Sequence, residues 1–169
     1  MPDNNIISLI KKRRSIRKYT NATIPETDIL SILESGRWAP SGLNNQPWKF
    51  VIITNLSAKV LISDLTAYSR IIRESSSCIA VFYDQASGYD RDKDIMAIGA
   101  CIQNMLLAAQ SLGIGSVWLG EILNKKEKFN ELVAVSREYE LMAVIALGYP
   151  DEEPESTRKS LRNLIINRL

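Results

Sequence analysis

The sequence contains no histidine at all. This absence excludes Ser-His-Asp catalysis, Cys-His proteolysis, and zinc or non-haem iron held by imidazole. Only two cysteines occur, Cys78 and Cys101, which lie 23 positions apart in apolar stretches and lack a CxxC spacing. Neither has a basic neighbour in sequence that would favour a thiolate. We therefore expect free, buried thiols in a reducing compartment.

Long hydrophobic runs are also missing, since no stretch approaches the roughly 18–20 consecutive apolar residues of a transmembrane helix. At the N-terminus, apolar residues 6–10 precede the basic residues, which is the reverse of their order in a signal peptide. We therefore expect a cytoplasmic protein. The chain has 169 residues, of which 46% are hydrophobic and 24% charged, as in an ordinary globular domain. Because no linker or repeat is visible, we expect one domain spanning residues 1–169.

The strongest charge feature is a basic run near the N-terminus. Residues 11–18 (KKRRSIRK) hold six cations, and removing those six from the 21 basic residues leaves 15 against 19 acidic ones. The positive charge is therefore local. Cations crowded beside a helix end, together with a serine hydroxyl, suit a phosphate group. Taken alone, the run is equally consistent with a solvated basic face or a nucleic-acid patch.

Two common phosphate-binding motifs are absent. The sequence has no GxxxxGK[ST] loop, and the glycines at 113, 115 and 120 follow a helix pattern rather than a strand and lack the GxGxxG spacing. The polar residues 41–47 (SGLNNQP) predict a loop whose amides could read the edge of a heterocycle, or a plain helix-to-strand connection. Residues 113–121 (GIGSVWLGE) predict either a backbone that a ligand approaches closely or an ordinary helix end.

The hydrophobic pattern predicts an α+β protein. We expect helices near residues 6–14 (capped by Asp3 or Asn4), 25–36 (capped by Thr23 and ended by Gly36), 55–65 (capped by Asn55 or Ser57), 94–112 and 125–133, and strands at 48–54, 78–83, 116–119 and 142–147. Residues 84–93 are expected to form a surface loop. The helix at 94–112 is apolar on nearly every face, so we expect a partner subunit to cover part of it.

The order of these features resembles the FMN-dependent nitroreductase family. The opening signature lies in residues 13–17 (RRSIR) and 38–48 (WAPSGLNNQPW), and residues 99–109 resemble the long interface helix of that family. Residues 113–120, 146–150 (ALGYP) and 158–159 (RK) follow in the order of the family, so the resemblance covers essentially the whole chain.

The resemblance implies a mixed, mostly antiparallel sheet flanked by helices, in an intertwined homodimer that binds FMN at the subunit interface. It also implies which residues hold FMN. The phosphate and the pyrimidine edge would be held by Arg13, Arg14, Ser15 and Arg17, with Arg158 and Lys159 returning to the phosphate. The flavin of the partner subunit would be reached by Pro40, Ser41, Gly42 and Asn44. The backbone at Leu119, Gly120 and Glu121 would lie beside the flavin N5.

The implied activity is the ping-pong reduction of nitroaromatics, quinones or similar acceptors by NAD(P)H, with the flavin doing the chemistry, no metal and no catalytic side chain. Arg17 near the ring would stabilise an anionic reduced flavin. The connection after Tyr83 is only about ten residues long, shorter than the lid region of larger relatives, which implies a more open pocket. The alternatives are an FMN-binding sensor or carrier with little turnover and a small nucleic-acid-binding protein, although the net negative remainder of the chain argues against the latter.

Overall fold

The computed structural model describes residues 6–169, so the proposed caps Asp3 and Asn4 lie outside the described residues. Within this range, six α-helices and four strands alternate along the chain. The helices are α1 (Ile6–Lys12), α2 (Glu26–Arg37), α3 (Leu56–Ser63), α4 (Ser69–Glu74), α5 (Arg91–Ser111) and α6 (Lys126–Leu132). The strands are β1 (Trp48–Ile53), β2 (Ser77–Asp84), β3 (Gly115–Leu119) and β4 (Tyr139–Gly148).

The four strands form one antiparallel sheet in the order β1-β2-β4-β3. Trp48 pairs with Tyr83 at one end of the sheet, and Gly115 pairs with Gly148 at the other. Parallel pairing among the described residues is confined to an isolated bridge between Ser15 and Ser116. The predicted fold class, a mostly antiparallel sheet flanked by helices, is confirmed.

Alternation of side chains along the central strand β2 gives the sheet two buried faces. Ile79 and Val81 point into a core with α2 and α5, whereas Ala80 and Phe82 point into a second core with α3, α4 and α6. Every residue of β2 is buried as a result. In the second core, Phe82 meets Phe129 with ring centroids 6.2 Å apart.

Helix α5 runs across the first face of the sheet and is the longest element. Asp90 caps its start by accepting a hydrogen bond from Lys93 N (3.2 Å), and Gly113 ends it with a φ of +73°. One face is buried in the core, but Met96 is 72% exposed. Gly99 lies three residues further along the helix, and a Cβ built there meets nothing within 4 Å. That a partner subunit covers part of this helix stays a prediction.

Some boundaries and caps differ from the sequence prediction. Thr23 does not cap α2, because Pro25 occupies the N-cap position and no side chain caps this helix. Gly36 does not end α2 but packs inside it against α5, where a Cβ would lie 2.7 Å from Met105 Cγ. Helix α5 begins at Arg91 rather than Asp94, and helix α4 was not predicted.

The remaining predictions agree with the structure to within a few residues. The Asn55 side chain caps α3 by accepting a hydrogen bond from Ala58 N. Cys78 and Cys101 are free and buried, as predicted, and burial raises the pKa of Cys78 to about 11 and that of Cys101 to about 12. No helix among residues 6–169 is long and apolar enough to cross a membrane.

Candidate functional site

The basic N-terminal run is anchored to the free edge of β3. Ile16 N donates a hydrogen bond to Ser116 O (3.0 Å), next to the parallel bridge of Ser15 with Ser116. The side chain of Ile16 enters the second core and packs on Gly115, where a Cβ would lie 2.8 Å from Ile16 Cγ2. Because side chains alternate along an extended segment, Ser15 and Arg17 point to the side opposite Ile16.

The segment after β4 passes back along the same N-terminal residues. Tyr19 forms an antiparallel bridge with Pro150, and Arg17 N donates to Glu152 Oε1 at 2.6 Å. Gly148 lies under the Tyr19 ring, so close that a Cβ would be 2.5 Å from Tyr19 Cδ1. These contacts place Arg158 beside the N-terminal cations, which lie more than 140 residues earlier in the chain.

The two segments enclose a cleft of about 230 Å³, here called the arginine cleft. It is lined by Arg13, Arg14, Ser15, Arg17, Pro154, Glu155, Ser156 and Arg158. The cleft adjoins a larger groove of about 930 Å³ that shares Arg14 and reaches Gln110 near the end of α5. The structure therefore brings together five of the predicted phosphate-binding residues, whereas Lys159 is exposed and does not line the cleft.

Four arginines and one acidic residue, Glu155, line the arginine cleft, so its charge is net positive. None of its four guanidinium groups forms an ion pair with a carboxylate within the described part of the chain. Instead, Arg17 Nη1 donates to Ser15 O (3.2 Å) and Arg158 Nη1 to Thr157 O (2.7 Å). Partial burial, followed by repulsion from Arg158 and Arg14, lowers the pKa of Arg13. An anion in the cleft would relieve this repulsion.

The second predicted group of ligand-binding residues lies in the 41–47 loop, between α2 and β1. Three of its residues that are not glycine have positive φ angles: Leu43 (55°), Asn44 (55°) and Gln46 (47°). Such a conformation costs roughly 1–2 kcal/mol per residue with an L side chain. The loop is braced internally, because Gln46 N donates to Ser41 Oγ at 3.0 Å. Leu43 is 85% exposed at its tip, and Asn44 and Pro40 are exposed as well.

Asp94 in α5 is a fully buried carboxylate that binds this loop through Asn45. Its Oδ1 accepts a hydrogen bond from Asn45 Nδ2 (2.7 Å), and its Oδ2 accepts one from Tyr83 Oη (3.1 Å) and one from Tyr89 N (3.0 Å). Asp90 N also donates to Oδ2, at 3.3 Å. Burial opposes ionisation, but the hydrogen bonds from Asn45 and the backbone outweigh it and lower the pKa of Asp94.

The 41–47 loop and the short connection after β2 are packed against each other at this point. Gly42 lies beside Tyr89, where a Cβ would be 1.9 Å from Tyr89 Oη. Asn45 Nδ2 also donates to Ser87 O at 3.1 Å. The predicted surface loop 84–93 is therefore a structured connection, a short 3-10 helix (Gln85–Ser87) followed by the cap of α5.

The arginine cleft and the 41–47 loop lie at opposite ends of α5. Asp94, which holds the loop, and Gln110, which lines the groove beside the cleft, are sixteen residues apart in this helix. At 1.5 Å per residue, this separation is about 24 Å. One copy of the chain therefore does not bring the two predicted groups of site residues together.

Between the two groups, the end of β3 carries the third set of predicted residues. Gly120 has an ordinary negative φ of −103°, and a Cβ built on it meets nothing within 4 Å, so neither the backbone nor packing requires glycine here. The carboxylate of Glu121 accepts hydrogen bonds from Thr66 Oγ1 and Ala67 N. These two bonds lower its pKa and hold it on the 66–67 turn. The space over Gly120 remains open to a ligand.

Sequence reasoning missed Trp118. It is 43% exposed in the middle of β3, while its neighbours Val117 and Leu119 enter the second core. Since residues bridged across a sheet point to the same face, Ser15 and Arg17 share a face with Ser116 and Trp118. The edge position of β3 together with the alternation of its apolar residues could have identified this side chain.

The geometry defines an α+β protein with an arginine-rich cleft at the edge of its sheet. Comparison with known proteins then gives the family. The model of the Nitroreductase family matches residues 10–75 and 63–149, so the chain belongs to this family, as predicted from its motifs.

Relatives and solved structures agree with this assignment. A protein of Archaeoglobus fulgidus named as an NADH dehydrogenase/NAD(P)H nitroreductase is 34% identical over 153 residues, which cover 88% of this chain and 87% of the relative. An NADPH-flavin oxidoreductase of Vibrio harveyi is 27% identical, over 97% of this chain and 73% of the relative. The crystal structure of a nitroreductase of Desulfovibrio desulfuricans in complex with FMN superimposes with a TM-score of 0.94 and 38% identity, covering 99% of this chain and 98% of that one.

Proposed function

We propose that this protein is a single-domain, FMN-dependent oxidoreductase that uses NAD(P)H to reduce nitroaromatic, quinone or similar acceptors. The observation that carries the proposal is the arginine cleft, whose four guanidinium groups have no carboxylate partner among the described residues. Membership of the Nitroreductase family and the relatives named as NAD(P)H-dependent enzymes support FMN as the cofactor and NAD(P)H as the electron donor.

The residues of the arginine cleft fit the phosphate end of FMN. Arg13, Arg158 and the Ser15 hydroxyl would hold the phosphate through charge-assisted hydrogen bonds, which are shorter and stronger than neutral ones. Arg17 lies further along the β3 edge, toward Trp118 and Gly120, where it would place a positive charge near the ring. The open space over Gly120 would allow the ring to approach the backbone closely.

When bound, FMN supplies the redox chemistry, accepting a hydride from NAD(P)H and later reducing the acceptor in a ping-pong cycle. The protein binds and orients both substrates. Arg17 would stabilise negative charge at the ring through fixed electrostatics. No side chain is assigned as an acid or base, because water can supply protons in an open site. The connection between β2 and α5 is short, so it offers little chain that could cover the site.

A homodimer would complete the site. Because the 41–47 loop lies about 24 Å from the groove beside the arginine cleft along α5, a second copy would supply this loop to the first. Apolar surface left exposed in one copy supports the assembly. It includes Met96 on α5 and, in the tail after residue 160, Leu161, Leu164, Ile165, Ile166 and Leu169. Exposed apolar side chains of this number are typical of surfaces that a partner covers.

The purified protein tests this function directly. We expect yellow protein with about one FMN per chain that bleaches when NADH or NADPH is added without oxygen. Its colour should return with a nitroaromatic or a quinone, and initial-rate plots should be parallel. Yellow protein that neither nicotinamide reduces would indicate an FMN-binding sensor or carrier. Colourless protein that remains colourless in excess FMN would contradict the proposal.

A further inference from the structure

Asp94 is a buried carboxylate that hydrogen bonds hold in place. Its side chain is fully buried, and it forms no ion pair among residues 6–169. Four hydrogen-bond donors converge on it instead, from Asn45, Tyr83 and the backbone of residues 89 and 90. Burying a carboxylate is costly, and an apolar side chain of similar size often stabilises a core as well or better. The presence of Asp94 therefore indicates that the segments bound to it must keep a fixed arrangement.

The start of helix α5 does not by itself explain this carboxylate. The N-cap of α5 is Asp90, whose side chain accepts from Lys93 N at 3.2 Å. One hydrogen bond of Asp94 comes from Asp90 N at the start of α5, and the others come from the 41–47 loop, the end of β2 and the connection that follows it. The Asp94 carboxylate thus links α5 to the 41–47 loop, to the end of β2 and to the connection between β2 and α5.

The segment that most needs such a tie is the 41–47 loop. Leu43, Asn44 and Gln46 hold left-handed backbone conformations that the loop would leave if it were free to relax. Asn45 lies in the middle of these residues and donates both to Asp94 Oδ1 and to Ser87 O. Its side chain is therefore the link through which the helix imposes the strained shape.

We propose that Asp94 is a positioning residue for the flavin site. It acts through Asn45, fixing the 41–47 loop in the one shape in which its tip meets the FMN of a second copy of the chain. The inference rests on the proposed function, because it requires that the loop contact FMN.

Two variants of this link and one matched control test the proposal. Asp94→Asn replaces an acceptor with a group that also carries donors, facing Asn45 Nδ2 and two backbone N–H groups. Asn45→Ala removes the link and leaves the carboxylate with its other donors. The control, Asp90→Asn, changes a carboxylate of the same helix terminus that caps α5 without contacting the loop.

Three quantities would be measured for each purified protein: the Kd for FMN by titration, the visible circular dichroism of the bound flavin, and the thermal midpoint. We expect Asp94→Asn and Asn45→Ala to weaken FMN binding about tenfold to a hundredfold, because a loop that is no longer held in shape must be ordered when FMN binds. We also expect an altered dichroism of the flavin that remains bound. Asp90→Asn should change the Kd less than about threefold and the thermal midpoint little, because asparagine caps a helix about as well as aspartate and an exposed ion pair such as that with Lys93 contributes little.

Several outcomes would overturn the inference. It is wrong if Asn45→Ala binds FMN with wild-type affinity and dichroism, or if Asp90→Asn weakens binding as much as the two test variants. If Asp94→Asn does not fold, Asn45→Ala decides, because that residue is only partly buried. Failure of the proposed function gives a different result, in which the wild-type protein itself does not bind FMN.

Discussion

The two ends of helix α5 carry two binding surfaces that are built in opposite ways. At its C-terminal end, the arginine cleft gathers four arginines against one carboxylate, Glu155, and none of the four forms an ion pair among the described residues. At its N-terminal end, the 41–47 loop carries no charged residue, but it is strained at three positions and held by buried hydrogen bonds to Asp94. The arginine cleft thus carries a net positive charge that an anion would balance, whereas the 41–47 loop has a backbone shape that its hydrogen bonds fix.

This difference indicates that the arginine cleft and the 41–47 loop contribute in different ways to binding the same ligand. Unpaired guanidinium groups attract a phosphate from a distance and hold it strongly, but they tolerate small displacements. The uncharged 41–47 loop adds little long-range electrostatic attraction, but its fixed shape determines where the flavin ring can lie. We therefore expect changes in the cleft to lower both the affinity for FMN and its salt dependence, and changes in the loop to lower the affinity and alter the geometry of the bound ring without changing the salt dependence.

The largest effect is expected from Arg13→Ala. The variant removes a cation that is partly buried among Arg14 and Arg158, and a hydrogen bond to a charged group contributes about 1.5–3 kcal/mol. FMN binding should weaken roughly tenfold to a hundredfold, measured by fluorescence titration at fixed ionic strength. Arg137→Ala, which removes an exposed arginine far from the cleft in sequence, is the control. Equal FMN affinities in the two variants would place the phosphate elsewhere.

A second contrast uses two glycines that flank β3. Gly120→Ala should fold normally, because its φ is negative and a Cβ meets no atom, but it should weaken FMN binding about tenfold by crowding the ring. Gly113→Ala should do the reverse. Its φ of +73° should make the substitution cost about 1 kcal/mol in the free energy of unfolding, with FMN affinity retained. Thermal melts and FMN titrations of both variants would check this, and full FMN affinity in Gly120→Ala would count against the ring's proposed location.

Gly99 in α5 tests whether a second copy covers the helix. Nothing lies within 4 Å of a Cβ at this position, so in an isolated subunit alanine should raise the free energy of unfolding by up to about 1 kcal/mol through helix propensity. If another subunit packs there, the same methyl group should weaken the dimer severalfold in sedimentation equilibrium. Ser111→Ala, at the exposed end of the helix, should leave association unchanged. A more stable Gly99→Ala protein with unaltered association would argue against the interface.

The smallest expected effect is in the salt dependence of FMN binding. Raising the ionic strength should weaken wild-type binding severalfold, because salt screens exposed charges. Arg13→Ala should reduce the slope of this dependence, whereas Asn45→Ala should leave the slope unchanged and only displace the curve. Identical slopes for all three proteins would mean that the two surfaces do not differ in the way proposed.

The arginine cleft and the strands were easier to predict from the sequence than the 41–47 loop. The strands around Val51, Val81 and Val144 are short apolar runs, and the cation cluster is a local excess of charge, so both are visible in the sequence. Helix α4 was missed because only Ile71 and Ile72 mark its six residues. The start of α5 was placed late, although Asp90 with acidic residues in the next turn is a recognisable cap signal.

The shape of the 41–47 loop was less predictable than the arginine cleft, because tertiary contacts determine it. Turn residues at 41–47 predicted a loop, but positive φ at Leu43 and Gln46 runs against their local preferences and is set by tertiary contacts. Asp94 stands in a polar stretch and has the pattern of a surface residue. Its burial depends on Tyr83 and Asn45, which approach it only in the folded chain.

The central claim is that each FMN site takes its arginine cleft from one copy and its 41–47 loop from the other. The most direct test mixes Arg13→Ala with Asn45→Ala, refolds them together, and counts tightly bound FMN in the isolated mixed dimer. We predict one tight site per mixed dimer, although neither parent homodimer has one, and none when a chain carrying both changes is paired with wild type. If the mixed dimer recovers no tight site, the claim is contradicted.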